Sequence, residues 1–272
     1  MARDLVVASF NVHAGVDAWG RPFDVSAAAA SLGADVLLLQ ETWTPEGSIG
    51  IAPEIAAAIG GSAHEAALGE GRRALPHPDA SETWHRRWSR VDGDHAVFLD
   101  SERPLKRGLA SSERFANAEP GSLSLAIISK LPVRSTAVFE LPRLRRDRVR
   151  RAVLEAQIEL GDEVITVVCV HMSHITHGSH RHFASLRAEL DRLGGPRSAT
   201  VVGGDMNLWG PGVSLQLPRW RRAVKAKTWP AWRPHSQIDH LLVGRGFVVE
   251  GHRASGELGS DHLAVVARLR LR

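Results

Sequence analysis

Apolar residues recur along the chain in short unbroken runs, and most of these runs end on a polar or acidic side chain. Leu5–Phe10 (LVVASF) is the first, closed by Asn11; a run this short and continuous predicts a strand buried on both faces. Asp24 precedes an alanine-rich stretch and predicts the N-cap of a helix over Val25–Leu32, ended by Gly33. Asp35–Gln40 (DVLLLQ) predicts a second buried strand that finishes at Gln40 and Glu41, so the chain opens as a βαβ unit. Ile51–Ile59 predicts a helix stopped by Gly60 and Gly61. From about 69 to 121 the periodicity weakens under Gly, Pro, Ser and charged residues, apart from a strand-like island at His95–Leu99. This composition predicts a mobile, loop-rich insertion on one scaffold.

Ser122–Ser129 and Val133–Leu141 flank Lys130, Leu131 and Pro132 and predict a hairpin. Ala152–Leu160 and Glu163–Val170 flank Gly161 and Asp162 and predict a second antiparallel pair, whose latter strand stops at His171. His180–Leu193 carries helical spacing in Phe183, Leu186, Leu190 and Leu193 and ends at Gly194 and Gly195. Thr200–Val202 then runs into Gly203 and Gly204, a strand whose end presents Asp205 and Asn207, although Gly, Asp and Asn are also common turn formers. Gln237–Val243, Gly246–Glu250 and Leu263–Leu271 read as the last strands. Helices are interspersed with buried strands without internal repeat, and the length admits one larger domain or two smaller ones.

With 272 residues and 43% hydrophobic content the chain can bury a sizeable core. Its one cysteine, Cys169, excludes an intrachain disulfide framework and a multi-cysteine zinc site. Met1 to Asp4 lead straight into the first strand without a signal-peptide pattern, and no apolar stretch reaches the roughly 18 residues of a membrane span. A cytoplasmic location without a transmembrane segment is expected. The formal net charge of +4 permits an anionic partner. Its distribution says more: arginines cluster at 143–151, 219–222 and 84–90, with Trp84, Trp88, Trp220, Trp229 and Trp232 nearby. Arginine tracks and indoles together suggest a phosphate backbone with stacked bases; the competing reading is that the tryptophans pack the core and the arginines are solvated or paired with acids.

Polar residues just past the apolar runs form a set of their own: Asn11, Glu41, His171, Asp205, Asn207, Asp239 with His240, and Asp261 with His262. Such an oxygen-rich collection suits Mg²⁺ or Mn²⁺, whereas zinc would call for more His or Cys.

The motifs FNV (Phe10–Val12), QET (Gln40–Thr42), VH (Val170 and His171), GDMN (Gly204–Asn207), IDH (Ile238–His240) and SDH (Ser260–His262), in this order across residues 5 to 271, resemble the endonuclease/exonuclease/phosphatase superfamily. DNase I-like nucleases, AP endonucleases, inositol polyphosphate 5-phosphatases, neutral sphingomyelinases and deadenylases belong to it. The resemblance implies an α/β fold in a single domain spanning residues 1–272, a four-layer αββα sandwich of two mixed β-sheets face to face with helices outside, and metal-dependent hydrolysis of a phosphoester, with Gly203 and Gly204 turning tightly and leaving room for the phosphate. It implies that Asn11, Glu41 and Asp261 hold Mg²⁺, with Mn²⁺ as the alternative. Asp205 and Asn207 would orient the attacking water and the phosphate. Asp239 would fix the tautomer of His262, leaving it to act as general base or to stabilise the phosphate's charge, and His171 would donate to a phosphate oxygen or assist the leaving group. Arg151 and Trp229 are further candidates for contact with the substrate phosphate.

His13 stands where the AP endonuclease branch has an acid, and the chain has no tyrosine, which argues against abasic-site repair. His13, His174, His177, His180 and His182 are expected to be mostly ordinary surface histidines, and His240 to be structural. The expected substrate is nucleic acid; the alternative is an inositol phosphate, a phospholipid headgroup or another small phosphoester. A non-catalytic binding protein would have lost one of the motif residues, and none is missing. Oligomeric state is left open.

Overall fold

A computed structural model describes residues 4–18, 21–74, 97–99, 118–145, 147 and 149–272. Among them thirteen strands and four helices follow in the order β1 (Asp4–Asn11), α1 (Val25–Ser31), β2 (Val36–Pro45), α2 (Ile51–Ile59), β3 (Ser62–Ala74), β4 (Val97–Leu99), β5 (Ala118–Ser129), β6 (Val133–Glu140), β7 (Ala152–Leu160), β8 (Glu163–His171), α3 (His180–Arg192), β9 (Thr200–Asp205), α4 (Gly210–Gln216), β10 (Arg221–Arg222), β11 (Asp239–Val243), β12 (Phe247–Ala254) and β13 (Val265–Leu271). They build a seven-stranded sheet, β12-β13-β1-β2-β5-β3-β4, and a six-stranded sheet, β10-β11-β9-β8-β7-β6. Both are mixed: β1 runs parallel to β2, and β8 parallel to β9, among antiparallel neighbours.

The continuous apolar runs are explained by what lies on each face. In β1, Leu5 and Val7 point into the core between the sheets with Leu38, Leu154, Val167 and Leu241. Ala8 and Phe10 point the other way, onto Ala29 of α1 and Ile55 of α2. The outer face of the six-stranded sheet carries Val168, Val170 and Val202 under Phe183, Leu186 and Leu190 of α3 and Val213 of α4. Three apolar layers between four structural layers give the αββα sandwich, each fully buried Leu or Phe stabilising it by about 1.5–3 kcal/mol. Asp24 caps α1, its Oδ1 accepting the Ala27 N–H at 2.8 Å, and α2 ends on Gly60 at φ 70.

Several expectations change. Ser122–Ser129 and Val133–Leu141 do not form a hairpin: β5 pairs with β2 and β3, leaving no free edge, and β6 joins the other sheet beside β7. The connection ties both sheets, since Lys130 N–H donates to Asp35 O at 2.9 Å and Glu159 N–H donates to Pro132 O at 2.9 Å. The expected insertion is narrower than 69–121, because β3 continues to Ala74 and β5 begins at Ala118. Residues 75–96 and 100–117, including Trp84, Trp88 and the cluster at 84–90, lie outside the described residues. Gly203 and Gly204 sit inside β9 and do not make room for a phosphate. A Cβ on Gly203 would lie 2.5 Å from Leu38 Cδ1 of the opposite sheet, and one on Gly204, at φ 152, would lie 1.8 Å from Val170 O. Close approach of sheet to sheet and of β9 to β8 demands both glycines.

Candidate active site

Strand direction brings the polar residues together. Parallel β1 and β2 place Asn11 opposite Gln40, and parallel β8 and β9 place His171 opposite Asp205. Antiparallel β11 starts at Asp239, the partner of Asp205. β13 is antiparallel to β1, so the segment leading into it, with Asp261 and His262, arrives at the same end. Glu41 needs one more device: at φ 56 it occupies an irregularity of the β2–β5 ladder between Leu39 and Thr42. Asn207 and His13 also adopt positive φ, 48 and 45. Such strained backbone at non-glycine residues gathers where side chains must be aimed against the local preference.

Asp205 is the hub. Its Oδ2 accepts from Asn11 Nδ2 at 3.3 Å and lies 3.5 Å from His171 Nε2 and 3.9 Å from His262 Nε2. Its Oδ1 accepts the Asn207 N–H at 2.9 Å. Asn11 Nδ2 also reaches Glu41 Oε1 at 3.3 Å, while its Oδ1 accepts the His13 N–H at 3.0 Å. Glu41 Oε1 is 3.7 Å from His171 Nε2. Asn207 Nδ2 donates to Met172 O at 2.9 Å and stands 3.4 Å from His171 Nε2. His262 Nδ1 lies 3.0 Å from each carboxylate oxygen of the fully buried Asp239. Asp261 is held from the other side: Trp229 Nε1 donates to its Oδ2 at 3.3 Å, and His13 Nδ1 stands 3.6 Å from its Oδ1.

The charges follow from this packing. Burial pushes Asp205 up to about 7, helped by Asp239 and Glu41 and opposed by His262 and the Asn207 N–H. Burial would lower His262, but Asp239, Asp261 and Asp205 raise it well above the usual histidine value. Burial, Arg151 and His262 hold His171 well below it, as a neutral imidazole. Asp261 is lowered although burial opposes this, because His13, His262 and the Trp229 N–H favour its anion.

Arg151 lies beside this group, immediately before β7 and across from the His171 end of β8. Burial lowers its guanidinium while Glu41, Asp147 and Asp205 oppose the shift. Its Nε and Nη1 are buried without a hydrogen-bond partner among the described residues. A buried guanidinium with unpartnered N–H groups beside the carboxylates of Glu41, Asp147 and Asp205 has donors left over that an anion could satisfy.

The endonuclease/exonuclease/phosphatase family model matches residues 8–262. The chain belongs to that family. Its members are phosphoester hydrolases, generally dependent on a divalent metal. Among solved structures, an endonuclease/exonuclease/phosphatase from Beutenbergia cavernae superposes with TM-score 0.63 at 21% identity, over 99% of this chain and 72% of that one. A mannosyl-6-phosphatase from Bacteroides thetaiotaomicron gives TM-score 0.60 at 15% identity, over 97% and 99%. The human Nocturnin catalytic domain, solved with bound sulfate, gives 0.60 at 12%, over 100% and 96%. At these identities the likeness is one of fold. No curated protein matches the chain.

The donors fit the divalent cation that the family uses. Asp205, Asp239 and His262 offer ligand atoms all within 4.8 Å of one another, and the carboxylates of Glu41 and Asp205 share the Asn11 amide. The two sets are not equal. His262 Nδ1 is already engaged by both oxygens of Asp239, so a cation bound at that nitrogen would break the pair, whereas the Glu41 carboxylate is 23% exposed. An oxygen-dominated set of this kind suits a hard cation such as Mg²⁺.

Other expectations resolve differently. Trp220 is buried, Arg219 pairs with Asp191 at 3.3 Å, Arg221 donates to Phe247 O and Arg222 donates to Gln237 Oε1. Arg221 and Arg222 pair with Val243 and Leu242, toward the end of β11 away from Asp239. The 219–222 cluster is therefore part of the scaffold and not a basic track beside Asp205. His182 is not a surface histidine: it is fully buried, its Nε2 is 2.8 Å from Pro142 O and 3.6 Å from Asp147, and Ser173 Oγ donates to the same Asp147. His13 is buried against Asp261; only its place two residues after Asn11 hinted at this. His240 is structural, its Nε2 2.9 Å from Leu208 O.

Proposed function

We propose that the chain is a Mg²⁺-dependent phosphodiester hydrolase that acts on nucleic acid. The observation that carries this reading is the hub itself: one buried carboxylate, Asp205, shared by Asn11, His171, Asn207 and His262, with Asp239 behind His262, Glu41 in front and the unsatisfied Arg151 alongside.

A divalent cation bound by Glu41, with Asn11 and Asp261 completing its shell, would polarise a phosphoryl oxygen and neutralise developing charge. Asn11 Oδ1 accepts one N–H, that of His13, and keeps a second lone pair for a cation. Asp205 takes the proton of the attacking water as the water oxygen bonds to phosphorus and the ester P–O bond breaks, the departing oxygen leaving as the alcohol after taking a proton from solvent. Asn207 N–H fixes Asp205 Oδ1, so Oδ2 is the oxygen that meets the water. The Asn207 amide, steadied by Met172 O, lies beside His171 Nε2, and the two direct N–H groups at a non-bridging phosphate oxygen. Asp239 orients the His262 ring so that its Nε2–H faces the same space and stabilises the charge on the phosphate in flight. Arg151 supplies a planar, permanently charged donor for the phosphate. Trp229 acts here through Asp261, which its indole N–H holds in place.

A second reading, hydrolysis of a small phosphoester, draws support from the scaffold role of the 219–222 arginines, which do not extend the charge of Arg151 into a track beside the hub. Incubation of the purified chain with plasmid, single-stranded DNA, RNA, phosphoinositides and a hexose phosphate, with EDTA and after restoring Mg²⁺, tests both. Cleavage of nucleic acid that EDTA abolishes and Mg²⁺ restores is expected; release of phosphate from the small esters only would overturn the nuclease reading.

A further inference from the structure

Two loops leave the sandwich at the hub. Asp205 and Asp239 are register partners, so the chain after β9 and the chain before β11 rise from one rim. The first runs through buried Met206 and Leu208 to Trp209, which is 56% exposed at the N-cap of α4. The second, 228–236, folds back on the site: Leu263 N–H donates to Thr228 O at 2.8 Å, Ala231 N–H to Asp261 O at 2.7 Å, and Trp229 Nε1 to Asp261 Oδ2. Pro230 and Ala231 are buried, and Trp232 follows at 46% exposure with Arg233 beside it, also exposed.

An indole carries about 150–250 Å² that favours burial. Trp43 and Trp220 obey that preference, and Trp229 is half-buried. Among the described residues the two exposed indoles both stand on this rim, one on each loop, while the other large exposed apolar side chains are Ile49, Val138, Phe139 and Leu215. Neither loop leaves its indole outside for want of order, since each is tied to the hub within three residues. Resting on the hydrolysis proposed above, we infer that Trp209 and Trp232 form an aromatic rim that stacks on planar rings flanking the scissile phosphate, the chemistry of nucleobases and not of sugars or inositols.

The test compares an oligonucleotide with an abasic one of equal length and backbone charge, using the full chain and the variants Trp209→Ala, Trp232→Ala and the pair. Stacking on an indole strengthens binding about 5- to 150-fold per base. The wild-type kcat/KM should favour the base-bearing substrate by such a factor, through KM; the preference should fall toward parity in the double variant and survive in Trp209→Phe. Equal kcat/KM on both substrates in the wild type, or an unaltered preference in the double variant, overturns the rim. A chain that cleaves neither refutes the nuclease reading and leaves the rim to be decided by binding of a nucleoside monophosphate, followed as quenching of tryptophan fluorescence. Saturable quenching that the double variant loses supports the rim, and its absence in the wild type overturns it.

Discussion

At the residue scale, position decides function more than identity does. Asp205, Asp239 and Asp261 share a side chain and differ in task because Asp239 meets His262, Asp261 meets Trp229 and His13, and Asp205 meets everything at the centre. The glycine before Asp205 shows how tightly that centre is set. Gly204→Ala would put a methyl group 1.8 Å from Val170 O at a φ that side chains avoid. It is expected to destabilise by about 3 kcal/mol or more, read as a lowered urea midpoint, whereas Gly251→Ala, with open space around it, should stay within about 0.5 kcal/mol. Equal midpoints for the two variants would show that β9 does not need its glycine. Gly203 and Gly204 were visible in the sequence, but not their reason, because what they avoid is distant in the chain: Leu38 of the opposite sheet for the first and Val170 of β8 for the second. Residues that follow an apolar run, such as Asn11, Glu41, His171 and Asp205, were legible for the opposite reason: the run itself announces that the next polar group sits at a strand end. His13, Asp147 and the burial of Arg151 carried no such marker.

At the element scale, legibility followed hydrophobic contrast. β1, β2, β8 and β9 are sandwiched on both faces and read as unbroken apolar runs. β3, SAHEAALGEGRRA, was missed because small and charged residues dilute its pattern; β5 and β4 pair with its two edges instead. The β5–β6 connection looked like a hairpin because turn chemistry does not encode which sheet the next strand joins. His240 illustrates how β11 is tied to the rim. Its Nε2 meets Leu208 O, and burial, opposed by that contact, pushes it down to about 4. The unfolded chain binds this proton near the ordinary 6.5, so the unfolded state is the more protonated one between those values. Its contribution is therefore complete above about 6.5 and is lost as pH falls toward 4, by at most about 3 kcal/mol. Thermal unfolding of His240→Gln from pH 7.5 to 4.5 should show a shallower acid decline than the wild type; parallel curves would mean that this imidazole does not titrate on unfolding.

At the scale of the molecule, two mixed sheets packed face to face converge their parallel pairs, β1–β2 and β8–β9, on one end, and the candidate catalytic set exists only where they meet. Neither sheet holds it alone: Asn11 and Glu41 come from the seven-stranded sheet, His171, Asp205 and Asp239 from the six-stranded one, and Asn11 Nδ2 bridges them. Asp205 is the point through which every proposed step passes, so its removal tests the account most directly. Asp205→Ala takes away a buried carboxylate without adding bulk, and its folding can be checked by thermal unfolding. With Mg²⁺ present and the variant folded, the rate of phosphodiester cleavage should fall at least about 10²-fold; a rate near that of the wild type would contradict the mechanism.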